Sequence, residues 1–404
     1  MQSAQERNLD IMPVGKLGIV ALSSCEQLGK KINDHILSWR EERDHIHADS
    51  PHLYGYGQDT FLIPIKTPRF GSGEAKGQVF SSVRGDDIYI LVDVCNYSIT
   101  YTMNGIVNHM SPDDHFQDLK RIIAAIGGKA RRITVIMPYL YESRQNKRGK
   151  RESLDCAMAL QELITMGVDS IITFDAHDPR VQNAIPLHGF ETYNATYQFI
   201  KGIYKSTPDF IPDTEHLMII SPDEAGMKRA IYMANVLGVD MGMFFKRKDY
   251  THFINGTNPT LDLVFLGESV EGKDVVIMDD MISSGETVLE VAYALNKRKA
   301  KRVFICATFG VFTRGFQEFD RAYADGILHR LLSTNLVWQP PELLSKPWYT
   351  GCDLSKFLSL IIDTMNHDGS VSDLLDPFDR IDNYLAKQGI RKKENQEETK
   401  KTEA

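Results

Sequence analysis

Six short runs rich in β-branched and aliphatic residues recur along the chain, each bounded by polar or turn-forming positions. They are 87–94 (DIYILVDV), 133–137 (ITVIM), 170–175 (SIITFD), 216–221 (HLMIIS), 274–278 (DVVIM) and 303–308 (VFICAT). Runs of this length and composition predict buried strands. Amphipathic helices lie between them. Over 154–166, Ala157, Leu160, Leu163 and Ile164 fall on one face, and Gly167 supplies a stop. Over 287–297, Val288, Val291, Ala292 and Leu295 do the same. Such alternation predicts an α/β fold with mainly parallel sheets wrapped by helices. Six or more strands make one wide sheet or two smaller ones; two sets of site-like loops favour two. Residues 40–56 are polar, His-rich and weakly periodic, and read as an inserted loop. Residues 391–404 (RKKENQEETKKTEA) have almost no apolar content and read as a disordered tail.

At 404 residues the chain suggests two or three domains. Its hydrophobic content of 42% is ample for real cores. A net charge of -8 argues against a general binder of nucleic acid or of membrane surfaces, so local basic clusters need local purposes. No apolar run is long enough to cross a bilayer, and the first residues show no secretory pattern. The cysteines Cys25, Cys95, Cys156, Cys306 and Cys352 are scattered and form no CxxC pair. Buried thiols in a reducing cytoplasm are the expectation.

The segment 275–287, VVIMDDMISSGET, carries the strongest chemical signal. An apolar strand ends in two acids, and a Ser-Ser-Gly turn then opens a helix. Ligands of open α/β sheets sit beyond the carboxyl ends of strands, where this turn falls. Helix N-terminal N–H groups and the hydroxyls of Ser283, Ser284 and Thr287 would surround a phosphate. Gly285 permits close approach of the backbone. Asp279 and Asp280 would accept hydrogen bonds from two vicinal ribose hydroxyls, and could help hold a hydrated metal. A strand end followed by a helix cap has the same local appearance. Two apolar-flanked acids at this fixed offset favour a ribose-phosphate site.

This segment resembles the phosphoribosyl-diphosphate motif of type I phosphoribosyltransferases and ribose-phosphate pyrophosphokinases. Further stretches resemble the pyrophosphokinases alone. They are 137–148 (MPYLYESRQNKR), 172–182 (ITFDAHDPRVQ), 219–230 (IISPDEAGMKRA), 244–250 (FFKRKDY), 70–74 (FGSGE) with 81–91, and 353–375 with its GSVSDLL ending. The resemblance implies two tandem type I phosphoribosyltransferase-like domains. Residues 15–190 would form the ATP side and 191–345 the ribose 5-phosphate side, followed by a helical segment over 346–390. It implies an enzyme that transfers the pyrophosphoryl group of ATP to the anomeric hydroxyl of ribose 5-phosphate, giving phosphoribosyl diphosphate and AMP. Mg2+ would be held by His177 and Asp223, although Asp223 is equally a helix cap by type and position. Arg144 and Gln145 would bind the triphosphate, while Phe70 and Glu74 would read adenine in a neighbouring subunit. Lys246 and Lys248 would stabilise charge on the transferred phosphates from a flexible loop. A dimer-based homo-oligomer, possibly a hexamer, follows from the shared Phe70–Glu74 contact.

Ser72, Asn146, Lys248 and Ser283 depart from the usual family residues. They keep open a weakly active regulatory subunit of such a synthase. A phosphoribosyltransferase is the third reading, but the Arg144, His177 and Lys246 segments argue against it.

Overall fold

A computed structural model describes residues 12–46, 56–248, 260–375 and 377–389. Two sheets carry it. The first has five parallel strands in simple sequence order: Leu17–Ala21, Asp87–Leu91, Arg132–Ile136, Ser170–Phe174 and Gly189–Tyr193. The second has seven, in the spatial order Thr260–Leu266, Asp240–Lys248, Leu217–Ser221, Asp274–Ile282, Arg302–Gly310, Arg330–Thr334 and Tyr349–Cys352. All its neighbours are parallel except the first pair, which is antiparallel. The predicted α/β class with mainly parallel sheets is therefore observed.

All six runs expected as strands are strands, and both expected helices form, at Asp155–Thr165 and Glu286–Lys297. The central runs are apolar throughout because both sheet faces are covered; every residue of Ser170–Phe174 and Leu217–Ser221 is buried. Periodicity passed over Leu17–Ala21, Gly189–Tyr193, Arg330–Thr334, Tyr349–Cys352 and the antiparallel pair. These are short or partly exposed, and mix in glycine and polar residues.

Three apolar clusters fill the fold. Two lie on one face of each sheet. The third is shared: Phe174 and Tyr193 of the first sheet, Ile219, Met278 and Cys306 of the second, and Phe357, Ile361 and Ile381 near the C-terminus belong to one cluster. Burial at roughly 25 cal/mol per Å2 makes this common core the main force joining the halves.

The helix Ser355–Asn366 packs back on the helix Glu26–Ile46 of the first half. Two buried charged contacts fix it there. The Arg40 guanidinium donates to Oδ1 of Asp363 at 3.2 and 3.0 Å and to Oδ1 of Asn366 at 2.8 Å. Arg132 grips Asp87 with two bonds of 2.8 Å and donates to the Met365 carbonyl at 2.7 Å. This corrects the expectation of a loop beginning at residue 40. Arg40 is a buried helical residue, 2% exposed, between the rings of Tyr56 and Phe61. A buried arginine registers as polar in a hydropathy pattern, so the pattern misplaced it. Residues 47–55 and the tail 391–404 lie outside the described residues.

The five cysteines are free, four buried and Cys95 half-buried. Among the described residues no helix is long and apolar enough to cross a membrane.

Burial pushes the Asp363 carboxyl up, but the charges of Arg40 and Arg43 outweigh it and hold it below the usual carboxylate range. Its contribution to stability is therefore complete above the unfolded aspartate pKa and is lost as pH falls through the lowered folded value. Asp363→Ala leaves Arg40 buried and unpaired and should cost about 3–5 kcal/mol. Urea denaturation at neutral pH measures this, and a loss below about 1 kcal/mol would refute the pairing.

Candidate active site

In the second sheet the chain runs outward from Leu217–Ser221 to Asp240–Lys248, then returns to the opposite side of Leu217–Ser221 as Asp274–Ile282. The crevice beyond the carboxyl ends of those two neighbours is a topological switch point, where open α/β sheets bind ligands. A cleft of about 230 Å3 opens there. Arg144 and His177 of the first half line it, together with Asp223, Ala225 and all residues from Asp279 to Val288.

The acid pair does not end its strand, as expected, but lies within it. Asp274–Ile282 stays paired with Arg302–Gly310 as far as Ile282. Alternation then separates the two side chains. Asp280 is buried toward the first half, whereas Asp279 is partly exposed to the cleft. His177 Nδ1 lies 2.7 Å from Oδ2 of Asp280, a contact spanning 103 residues. Burial raises the Asp280 pKa, but the His177 hydrogen bond and the Arg229 charge reverse the effect and hold it low. Burial followed by the Asp280 charge drives Asp279 well up. One acid is thus ionised and paired, and its neighbour resists ionisation.

The Ser-Ser-Gly turn follows. Gly285 has φ +81° and caps the helix Glu286–Lys297. A Cβ at Gly285 would fall 2.4 Å from the Phe319 ring, so glycine serves packing as well as the turn. The Thr313 amide donates to the Ser283 carbonyl at 2.9 Å and braces the turn from the next loop. The helix N-terminus and the hydroxyls of Ser283, Ser284 and Thr287 therefore share one wall of the cleft. Glu286 reaches Arg314 at 3.4 Å, with both side chains largely exposed.

Asp223 is not the N-cap of the helix Met227–Leu237, a position held by Gly226; it closes the turn ahead of that helix while lining the cleft. Its Oδ1 accepts from the amides of Ala225 and Gly226 at 2.9 and 3.0 Å. Arg144 donates to Sδ of Met281 at 3.2 and 2.7 Å. A thioether is a weak acceptor, so this guanidinium is poorly satisfied and suited to an anionic ligand.

Other expected residues stand apart from this cleft. Gln145 Nε2 donates to the Ser153 carbonyl at 2.8 Å and braces its own loop. Phe70 and Glu74 lie in a tight turn braced against the Thr100–Met103/Ile106–His109 hairpin. The Asn104 amide donates to the Gly71 carbonyl, and the Phe70 ring is half exposed. Ser72 Oγ donates to the Glu74 carboxylate at 3.0 Å. Lys246 and Lys248 belong to the strand Asp240–Lys248 rather than to a loop, and Lys246 pairs with Glu290 at 2.7 Å. Tyr250 is outside the described residues.

Sequence reasoning assigned no role to Arg229 or Asp175. Arg229 lies between Asp175 and Asp280, its Nε 3.5 Å from the first carboxylate and its Nη2 3.5 Å from the second. The signal for Arg229 was its place as the arginine closing the Ser-Pro-Asp-x-Gly-Gly-x-x-Arg pattern that 221–229 resembles; its burial between two carboxylates is what the sequence does not show.

Among the described residues no three His, Cys, Asp or Glu side chains stand together as metal ligands. The donor chemistry still fits a hydrated magnesium. The nearby Asp223 pushes the Asp279 carboxyl up further, a repulsion that a cation between them would relieve, and Mg2+ usually takes few protein ligands.

The description "N-terminal domain of ribose phosphate pyrophosphokinase" matches residues 17–167, and a phosphoribosyl transferase domain matches 193–345. A ribose-phosphate pyrophosphokinase of Ralstonia nicotianae is 30% identical over 272 residues, covering 67% of this chain and 76% of its own. One from Vibrio cholerae is 29% identical over 313 residues, covering 75% and 88%. The crystal structure of phosphoribosylpyrophosphate synthetase from Mycobacterium smegmatis shares the fold, with a TM-score of 0.67 at 22% identity. That match covers 88% of this chain and 100% of the other. With both domains matched in order along three-quarters of its length, the chain belongs to the ribose-phosphate pyrophosphokinase family.

Proposed function

We propose that this chain transfers the pyrophosphoryl group of ATP to the anomeric hydroxyl of ribose 5-phosphate. The anomeric oxygen forms a bond to the β-phosphorus, the bond from that phosphorus to the α–β bridging oxygen breaks, and AMP leaves. The observation that carries this reading is the meeting of Arg144 and His177 from one sheet with Asp223 and Asp279–Thr287 from the other in one cleft. A pure phosphate site would need only the second sheet.

The turn Ser283–Gly285 and Thr287 would seat the 5-phosphate at the helix N-terminus. Asp279 and Asp280 would orient the ribose hydroxyls, and Arg144 would grip the polyphosphate in two-point fashion. Such transfer depends mainly on positioning and charge neutralisation. Mg2+, when bound by His177 and Asp223, would supply positive charge to the phosphates. Lys246 would leave Glu290 and add its charge over the transferred group. Residues 15–190 form the ATP half and 191–345 the ribose half in this reading. Phe70 and Glu74, remote from their own chain's cleft, would serve a neighbour's site in a cytoplasmic homo-oligomer.

Purified protein with Mg2+, ATP and ribose 5-phosphate should release AMP and phosphoribosyl diphosphate in equal amounts. Release of ADP instead, or no AMP at any phosphate concentration, would overturn the assignment. Lys246→Ala should lower kcat about 10²–10³-fold, with little change in melting temperature because its partly exposed ion pair contributes little. Wild-type turnover in that variant would remove Lys246 from the reaction.

Asp279→Asn separates stability from function. The folded pKa of Asp279 lies above its unfolded value, so the native state retains a proton that the unfolded chain gives up, and stability falls as pH rises through that window. Without ligand at neutral pH the variant should melt higher, by about 2–4 °C. Its kcat/KM for ribose 5-phosphate should fall about 10–100-fold. A lower melting temperature would contradict the electrostatic account.

A further inference from the structure

Arg229 sits in the first turn of the helix Met227–Leu237, and its side chain is only 13% exposed. Its guanidinium touches two loops and one strand. Nη1 reaches the Ala225 carbonyl at 3.4 Å, within the loop that carries Asp223. Nη2 reaches the carbonyls of Asp175 and Ala176, each at 3.3 Å, in the turn that presents His177. The same Nη2 stands 3.5 Å from Asp280, and Nε stands 3.5 Å from Asp175. Among the described residues, no other guanidinium pairs with both of these carboxylates.

The turn at Asp175 needs an external support. Asp175 is a non-glycine residue at φ +36°, a left-handed conformation that costs free energy and persists only when surroundings enforce it. Its carbonyl and that of Ala176 point to Arg229, while its carboxylate accepts from Thr308 Oγ1 in the opposite sheet. Arg229 Nε is buried without an acceptor in hydrogen-bonding geometry, so the guanidinium makes several long contacts in place of one ideal pair. A planar fork with five donors can span three segments in this way; an ammonium cannot.

We propose that Arg229 is the positioning residue of the active site, setting the His177 turn, the Asp223 loop and Asp280 in mutual register across the seam between the halves. It acts through those groups and touches no substrate. This inference rests on the pyrophosphoryl-transfer reading for its kinetic consequences, but not for its structural ones.

The test uses full-length Arg229→Ala, Arg229→Lys and Arg229→Gln. All three should lower kcat about 100-fold, the scale of a misplacement near 1 Å, with KM for ATP changed far less. Millimolar guanidinium should restore Arg229→Ala at least about tenfold, whereas sodium at equal ionic strength should not. In each variant that folds, amide exchange should accelerate in peptides spanning 173–178 and 222–228 while the distant helix Pro112–Ile126 keeps its rate. Wild-type kcat in Arg229→Lys, or unchanged exchange in both peptides, would overturn the proposal. Failure of the wild-type protein to form AMP would sink the transfer reading alone, because the exchange measurement still decides the role of Arg229.

Discussion

Negative charge accumulates where the two sheets meet, and the arrangement of the site follows from how that charge is compensated. Asp175 arrives from the first half and Asp279 and Asp280 from the second, drawn together by an apolar core common to both. Burying carboxylates without partners is prohibitively costly. Asp280 is compensated by His177 and Arg229; Asp175 takes Arg229 and Thr308. Asp279 forms no ion pair among the described residues, and burial with the neighbouring Asp280 charge pushes its carboxyl up.

That balance explains which parts of the site were legible in the sequence. The 275–287 segment was readable because its chemistry is local: acids, hydroxyls and a glycine follow one another on a strand, turn and helix. Buried parallel strands were legible for the same reason, since burial on both faces leaves continuous apolar runs. The contact of His177 with Asp280 joins residues 103 apart, and no periodicity encodes that distance. The burial of Arg40 and of Arg229 escaped notice because a buried arginine is written with the same letter as a solvated one. Lys246 resembled a loop residue, but its strand stays paired with Thr260–Leu266 as far as Lys248, beyond the point at Met243 where pairing with Leu217–Ser221 ends.

The departures from the usual family motif acquire a physical setting as well. Ser283 keeps a hydroxyl in the phosphate wall where an additional carboxylate would repel an anion. Glu286, the one acid within the turn and helix start, is drawn toward Arg314 on the adjacent loop. Both features lower the negative potential felt by an incoming phosphate. They lie in the half of the cleft that the phosphate would occupy, opposite the acid-rich wall.

The return of the Ser355–Asn366 helix onto the first half also has a consequence for synthesis. Arg40 emerges early, but its partner Asp363 follows 323 residues later. At translation rates of about 5–20 residues per second, the first half waits roughly 16–65 s with a cation it cannot bury. The nascent N-terminal half is thus obliged to remain incomplete, and open to chaperones, until the helix Ser355–Asn366 has left the ribosome.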